Sequence, residues 1–274
     1  MIYEVIELKD RYGCVHGGTL KVLGLDCVWG DGHGWVRPMV IVVPGGAYFG
    51  VSNREAEPVA AEFLARGYQV AVLKYLCQQD GAYYPEQIFE LACAVDHIKK
   101  NAAKYHVNPD EIFAVGFSAG GHLVADYSDE CASIPARAKA DLDVSVKAVG
   151  LSYPVIDDHD ESFDNLLCGY TGEEKARLKE SLKLPARVTK GTPPTFIWTT
   201  ATDGLVPAAN SLRYALALAE KDVPYELHVY PVGDHGKSCA TVEVNDDEKE
   251  ILPILAAWVD DMARFFRTYC EEAR

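Results

Sequence analysis

A serine hydroxyl is a poor nucleophile near neutral pH. It becomes useful when a base takes its proton and a carboxylate orients that base. Three residues of this sequence have the types and surroundings for such work. Ser118 stands in Gly116-Phe117-Ser118-Ala119-Gly120, after the apolar run Ile112–Val115 and before a helix-capable stretch. G-x-S-x-G at a strand-to-helix turn holds the serine Oγ clear of the sheet. Gly116 and Gly120 supply the room, because larger side chains there would collide with the adjacent strand and helix. Asp203 lies in Thr199-Thr200-Ala201-Thr202-Asp203-Gly204, directly after an apolar run. His235 lies in Pro231-Val232-Gly233-Asp234-His235-Gly236, where small neighbours leave the ring free to face a site. Together these residues predict acyl transfer through an acyl-serine.

The tetrahedral intermediate of that chemistry carries a negative oxygen, which needs N–H donors held in advance. The residue after the nucleophile, Ala119, offers one. Gly45-Gly46-Ala47 offers the other, since small residues let the backbone approach a substrate. Tyr48 and Tyr153, near these turns, are candidates for shaping a substrate pocket. Asp157 is a rival to Asp203 for the acid and stays open at this point. Asp234 reads as a turn residue, His228 as a strand residue, and His122 as structural within the helix after Ser118. His16, His33, His97 and His106 fall away from the expected strand ends. The run Asp157-Asp158-His159-Asp160 reads as a solvated loop, because four adjacent residues rarely converge on one metal ion.

The elements that must position these residues follow from periodicity. Ile2–Leu8 and Thr19–Val28 alternate apolar and polar residues, predicting an antiparallel hairpin, with a turn at Gly30–Gly34. Met39–Val43 and Tyr68–Tyr75 are continuous apolar runs, as in strands covered on both faces. Strands are also predicted from Glu111, over Ala148–Tyr153, Thr195–Thr200 and Tyr225–Tyr230. Helices are predicted over Glu55–Arg66, Pro85–Tyr105, Ala208–Lys221 and Ile251–Tyr269. The result is one α/β domain over residues 1–274, with a mostly parallel sheet and helices on both faces. Residues 155–191 are polar and weakly patterned, predicting a cap insertion with a short helix at Gly172–Leu184. In such sheets the chemistry lies beyond the carboxyl ends of the strands.

Composition narrows the function class. Lys+Arg 26 against Asp+Glu 41 gives a formal charge of −15, which disfavours nucleic acid and anionic membranes as partners. The eight cysteines, at 14, 27, 77, 93, 131, 168, 239 and 270, show no C-x-x-C and predict reduced, buried thiols. The start, MIYEVIELKD, lacks the basic-then-apolar pattern of a signal peptide, so a cytoplasmic setting is expected. The expected partner is a small-molecule ester, and a homodimer is left open.

PGGAY, GFSAGGH, TDGLVP and GDHG together resemble the small α/β-hydrolase esterases grouped with acetyl-xylan and other carbohydrate esterases. The helix leading into NPDEIFAVGFSAGGHL is similar to that group as well. More distantly, the chain resembles kynurenine formamidases and hormone-sensitive-lipase-like enzymes. The order Ser118, Asp203, His235 is that of the α/β-hydrolase arrangement. The resemblance implies these three as a catalytic triad, with Gly46, Ala47 and Ala119 around the oxyanion hole. One departure stands out: Pro44 and Ala47 occupy the ends of a segment that reads His-Gly-Gly-Gly in the lipase-like branch. The expectation is a serine esterase acting on short acyl esters, acetyl foremost, that needs no metal or organic cofactor. A prolyl-oligopeptidase-type peptidase and a silent hydrolase-fold binding protein are the alternatives.

Overall fold

The computed structural model describes residues 1–9, 17–26, 34–139, 141–157 and 159–271. Eight strands form one sheet: β1 (Ile2–Glu7), β2 (Thr19–Gly24), β3 (Arg37–Val43), β4 (Gln69–Lys74), β5 (Val107–Phe117), β6 (Ala148–Ser152), β7 (Thr195–Thr200) and β8 (Tyr225–Tyr230). Their spatial order is β1-β2-β4-β3-β5-β6-β7-β8. β1 and β2 are antiparallel and β2 meets β4 antiparallel, while every other pair is parallel. The fold is therefore the expected mostly parallel sheet with an N-terminal antiparallel hairpin.

Strand β3 shows why the apolar runs behave as central strands. Met39, Ile41 and Val43 enter the core on one face, and Val40 and Val42 enter the core on the other. The first face is covered by the helices Glu86–Lys100, Ala119–Glu130 and Ala209–Glu220, through Leu91, Val95, Leu123, Tyr214 and Leu218. Helices Glu57–Ala65 and Trp258–Arg267 cover the second through Phe63, Trp258, Met262 and Phe266.

Several boundaries differ from expectation for local reasons. β5 begins at Val107, ahead of Glu111, and contains Pro109. The β3–β5 register jumps from Arg37↔Val107 to Met39↔Ile112, so Pro109 sits in an irregularity where no ladder donor is required. The expected helix Pro85–Tyr105 breaks at Asn101, whose side-chain amide donates to the His97 carbonyl at 2.8 Å. Such local bonds compete with helical continuation. The first crossover helix begins at Glu57, leaving Glu55 in a short turn before it. The C-terminal helix is split, with Pro253–Ala256 followed by Trp258–Arg267. Residues 155–191 hold two helices, Asp160–Leu166 and Gly172–Ser181, and a turn at Leu184–Arg187.

Of the described cysteines, Cys77, Cys93 and Cys239 are buried, and Cys131, Cys168 and Cys270 are half-buried. Cys14, Cys27, His16, His33 and Asp158, with most of the turn expected at Gly30–Gly34, lie outside the described residues. Among the described residues, no helix is long and apolar enough to cross a membrane.

The parallel registers bring the carboxyl ends of five strands to one rim. Val43 lies opposite Gly116, Phe117 opposite Ser152, and Thr200 opposite Tyr230. The turns carrying Gly45, Ser118, Tyr153, Asp203 and His235 all leave from there.

Candidate active site

Ser118 has φ +50° and ψ −118°, a backbone that L residues rarely adopt. The surroundings over-determine it. Its N–H donates to the Ser152 carbonyl at 3.0 Å, and its own carbonyl accepts from His122 and Val155, both at 3.1 Å. A Cβ on Gly116 would lie 2.3 Å from the Gly120 carbonyl oxygen, and one on Gly120 would lie 2.3 Å from the carbonyl oxygens of Val43 and Pro44. Only glycine at both positions permits the strand, the turn and the helix to close together.

His235 Nε2 is 2.8 Å from Ser118 Oγ, and His235 Nδ1 is 2.7 Å from Asp203 Oδ2. The other carboxylate oxygen of Asp203 accepts the backbone N–H groups of Leu205 and Val206, each at 2.9 Å. An ionised carboxylate only accepts, so the proton between Asp203 and His235 belongs to Nδ1. Nε2 is then an acceptor, and the Ser118 hydroxyl donates to it. The Asp203 side chain is 1% exposed and that of His235 is 12% exposed, so the pair is shielded while the imidazole stays reachable. Gly233 joins the two loops: its N–H donates to Thr202 Oγ1 at 2.9 Å, and its carbonyl accepts the Thr200 hydroxyl at 2.6 Å.

The turn after β3 packs directly against this arrangement. A Cβ on Gly45 would come within 2.9 Å of Ser118 Cβ. Gly46 has φ +129°, and Ala47 and Tyr48 follow in the left-handed region at +52° and +57°. The Gly46 carbonyl accepts from Phe49 at 3.0 Å and Gly50 at 3.2 Å, which closes the turn. Ala119 opens the helix after Ser118, so its N–H has no partner one helical turn back. Among the described residues, no backbone acceptor takes the N–H of Gly46, Ala47 or Ala119.

Tyr48 and Tyr153 differ from the expectation that they face a substrate. Each is 2% exposed. The Tyr48 hydroxyl lies 2.9 Å from His122 Nδ1, and the Tyr153 hydroxyl donates to Glu55 Oε1 at 2.6 Å. The Tyr153 ring packs edge-on against His235, with centroids 4.9 Å apart. Both tyrosines thus support the site from behind, and their hydroxyls are already engaged.

Asp157, the rival acid, is turned elsewhere: its carboxylate takes the Arg213 guanidinium, with Nε to Oδ2 at 2.7 Å. Asp160 pairs with Lys179, and His159 Nδ1 accepts the Ser162 N–H at the start of its own helix. These neighbours therefore point apart. Asp234 is 84% exposed at its side chain. His228 bonds Glu226 and stacks on Phe196, while His97 bonds the Tyr105 hydroxyl.

His122 is fully buried, and Glu55 is 4% exposed. Neither carries a sequence signal for a place near the site, because their partners lie far away in the chain. The His122 Nε2–H donates to the Leu182 carbonyl at 3.0 Å, which fixes the tautomer and makes Nδ1 the acceptor of the Tyr48 hydroxyl. Burial pushes its pKa down to about 4.

The chain is 33% identical over 215 residues to endo-1,4-beta-xylanase B of Butyrivibrio fibrisolvens, covering 76% of this chain and 33% of that protein. It is 28% identical over 228 residues to an acetylxylan esterase of Xylanibacter ruminicola, covering 80% of this chain and 45% of the relative. The chain thus spans between a third and a half of these relatives' lengths. Among solved structures, the carboxylesterase Cest-2923 from Lactobacillus plantarum superposes with a TM-score of 0.85 at 29% identity, covering 98% of both chains. An acetyl ester-xyloside bifunctional hydrolase from Caldicellulosiruptor lactoaceticus superposes with a TM-score of 0.81 at 27% identity, covering 97% of this chain and 96% of that one. The BD-FAE family profile matches residues 25–218, a span that contains Ser118 and Asp203 and stops short of His235. With more than half its length matched, the chain belongs to the BD-FAE family of α/β-hydrolases.

Proposed function

We propose that this chain is a serine carboxylesterase that removes short acyl groups, acetyl foremost, from carbohydrate or small polyol esters. The observation that carries the reading is the unbroken hydrogen-bond series Asp203–His235–Ser118, at 2.7 and 2.8 Å. The acetylxylan esterase and the acetyl ester-xyloside hydrolase among its relatives support an acetylated sugar as the substrate class.

In this reading Ser118 Oγ attacks the ester carbonyl while its proton passes to His235 Nε2. The carbonyl oxygen becomes an oxyanion facing the N–H groups of Ala119 and the Gly46–Ala47 turn, where preorganised donors are worth most. Asp203 orients the ring and stabilises the imidazolium. As the tetrahedral intermediate collapses, His235 returns the proton to the departing alkoxide and the acyl group stays on Ser118. Water then attacks the acyl-enzyme, with His235 again taking the proton, and the carboxylic acid leaves. Residues 155–191 act as a cap beside the site, since Asn165 donates from this segment to the Ala47 carbonyl at 2.9 Å.

The test pairs substrates with one variant. Nitrophenyl acetate should be turned over faster than the butyrate, and the butyrate faster than the octanoate; a preference for octanoate would defeat the short-acyl claim. Acetylated xylo-oligosaccharides should release acetate, whereas aminoacyl nitroanilides should not react. Ser118→Ala should remain folded and lose at least about 10⁴-fold in kcat, as nucleophile removal does in serine hydrolases. Unchanged turnover would rule out the mechanism.

A further inference from the structure

Glu55 is a buried carboxyl group with no part in the reaction just described. It lies in the short turn Asn53–Glu55, before the crossover helix. Two donors converge on it from different loops. The Gly45 N–H donates to Oε2 at 2.8 Å, and the Tyr153 hydroxyl donates to Oε1 at 2.6 Å. The direction of the second bond follows from the next link: the Ser238 N–H donates to the Tyr153 oxygen at 3.1 Å, leaving the phenolic proton for Glu55. Both carboxyl oxygens are thus acceptors, an arrangement that an amide cannot reproduce. Burial pushes the Glu55 pKa up, while the Tyr153 hydroxyl and the Gly45 amide pull it back.

The two ends of this series are the two loops that flank Ser118. Gly45 begins the turn that offers the Gly46 and Ala47 N–H groups. Ser238 lies three residues beyond His235, and its hydroxyl donates to the Arg54 carbonyl at 2.6 Å. Trp258 Nε1 holds the Ser238 carbonyl at 2.9 Å. Arg54 is tied in turn to the Val244 carbonyl and the Asn245 side chain, both at 2.8 Å. The Ser52 N–H donates to the Gly45 carbonyl at 2.9 Å, so both polar groups of Gly45 are gripped from one segment.

We propose that Glu55 is a positioning residue for acyl transfer: its carboxylate fixes the Gly45–Ala47 donor turn relative to the His235 loop, through Gly45 on one side and Tyr153 with Ser238 on the other. The proposal rests on the reading of Ser118 as the nucleophile. Oxyanion donors act on the transition state far more than on the ground-state carbonyl. Loosening the turn should therefore appear in kcat and leave KM nearly alone.

The experiment uses nitrophenyl acetate and four proteins besides the wild type. Ser118→Ala comes first, because its inactivity establishes the nucleophile independently of Glu55. Glu55→Gln keeps the shape but places an NH2 against one of the two donors; kcat should fall at least tenfold with KM within twofold. Tyr153→Phe retains the ring against His235 and removes only the hydroxyl, and should lower kcat by a smaller factor at unchanged KM. The double variant Glu55→Gln/Tyr153→Phe should be no slower than Glu55→Gln alone, since both changes break one series. A merely structural role would lower the melting temperature with kcat and KM of the folded enzyme unchanged. That result, or multiplicative losses in the double variant, would overturn the proposal. If Glu55→Gln fails to fold, Tyr153→Phe decides alone, and a wild-type kcat in that variant refutes the assignment.

Discussion

Asp203 shows how much one side chain's outer contacts determine. Its Oδ1 is occupied by the Leu205 and Val206 N–H groups, so the atom facing His235 is not interchangeable with it. In Asp203→Asn the amide oxygen would keep the two backbone donors, and the NH2 would turn toward His235 Nδ1. The ring would then carry its proton on Nε2 and present a donor to Ser118 in place of a base. We expect kcat to fall by about 10⁴-fold with the fold intact, the magnitude known for a wrong-tautomer triad. Steady-state kinetics alongside circular dichroism checks this, and a loss of less than tenfold would contradict the tautomer assignment. Ser118, Asp203 and His235 were legible in the sequence because each sits just past an apolar strand, among small residues. Tyr48 and Tyr153 misled because proximity in sequence to a turn says nothing about which way a ring faces. Their burial is decided by His122 and Glu55, 74 and 98 residues away.

At the scale of elements, the helix after Ser118 does more than present the serine. Through His122 it joins the turn after β3, at Tyr48, to the end of the helix Gly172–Ser181, at Leu182. This junction has a pH signature. Burial keeps the folded imidazole neutral down to about pH 4, while the unfolded ring protonates near its ordinary 6.5. The unfolded chain therefore binds the extra proton between those values, and His122's contribution to stability declines as pH falls. Asp129, pushed up to about 7 by burial, acts in the opposite direction, losing stability as pH rises through the same window. Only a comparison with a variant isolates the histidine. The stability gap between wild type and His122→Gln, from urea unfolding, should narrow by about 2 kcal/mol between pH 7 and pH 5. A constant gap would show that the ring titrates normally. Strand existence and order of type were readable here from apolar runs alone. Boundaries were not: Pro109 is accommodated by a register jump that only pairing with β3 reveals, and the break at Asn101 depends on a side chain reaching back to His97.

Across the whole molecule, the sheet explains why residues 85 and 32 positions apart meet. Parallel pairing from β3 through β8 carries every chemistry-bearing turn to one rim, and the aromatic pack of Trp198, Trp258, Phe117 and Tyr153 fills the space beneath. The sequence could announce which turns carry chemistry but not how they are braced, because bracing uses pairs such as Arg54 with Asn245 that no local pattern marks. The other end of the chain's course has its own consequence. Glu271 donates its N–H to Glu111, just before the regular part of β5 that leads to Ser118. A tether or reporter attached at Glu271 would sit at the opposite end of β5 from Ser118, away from the rim that carries Asp203 and His235.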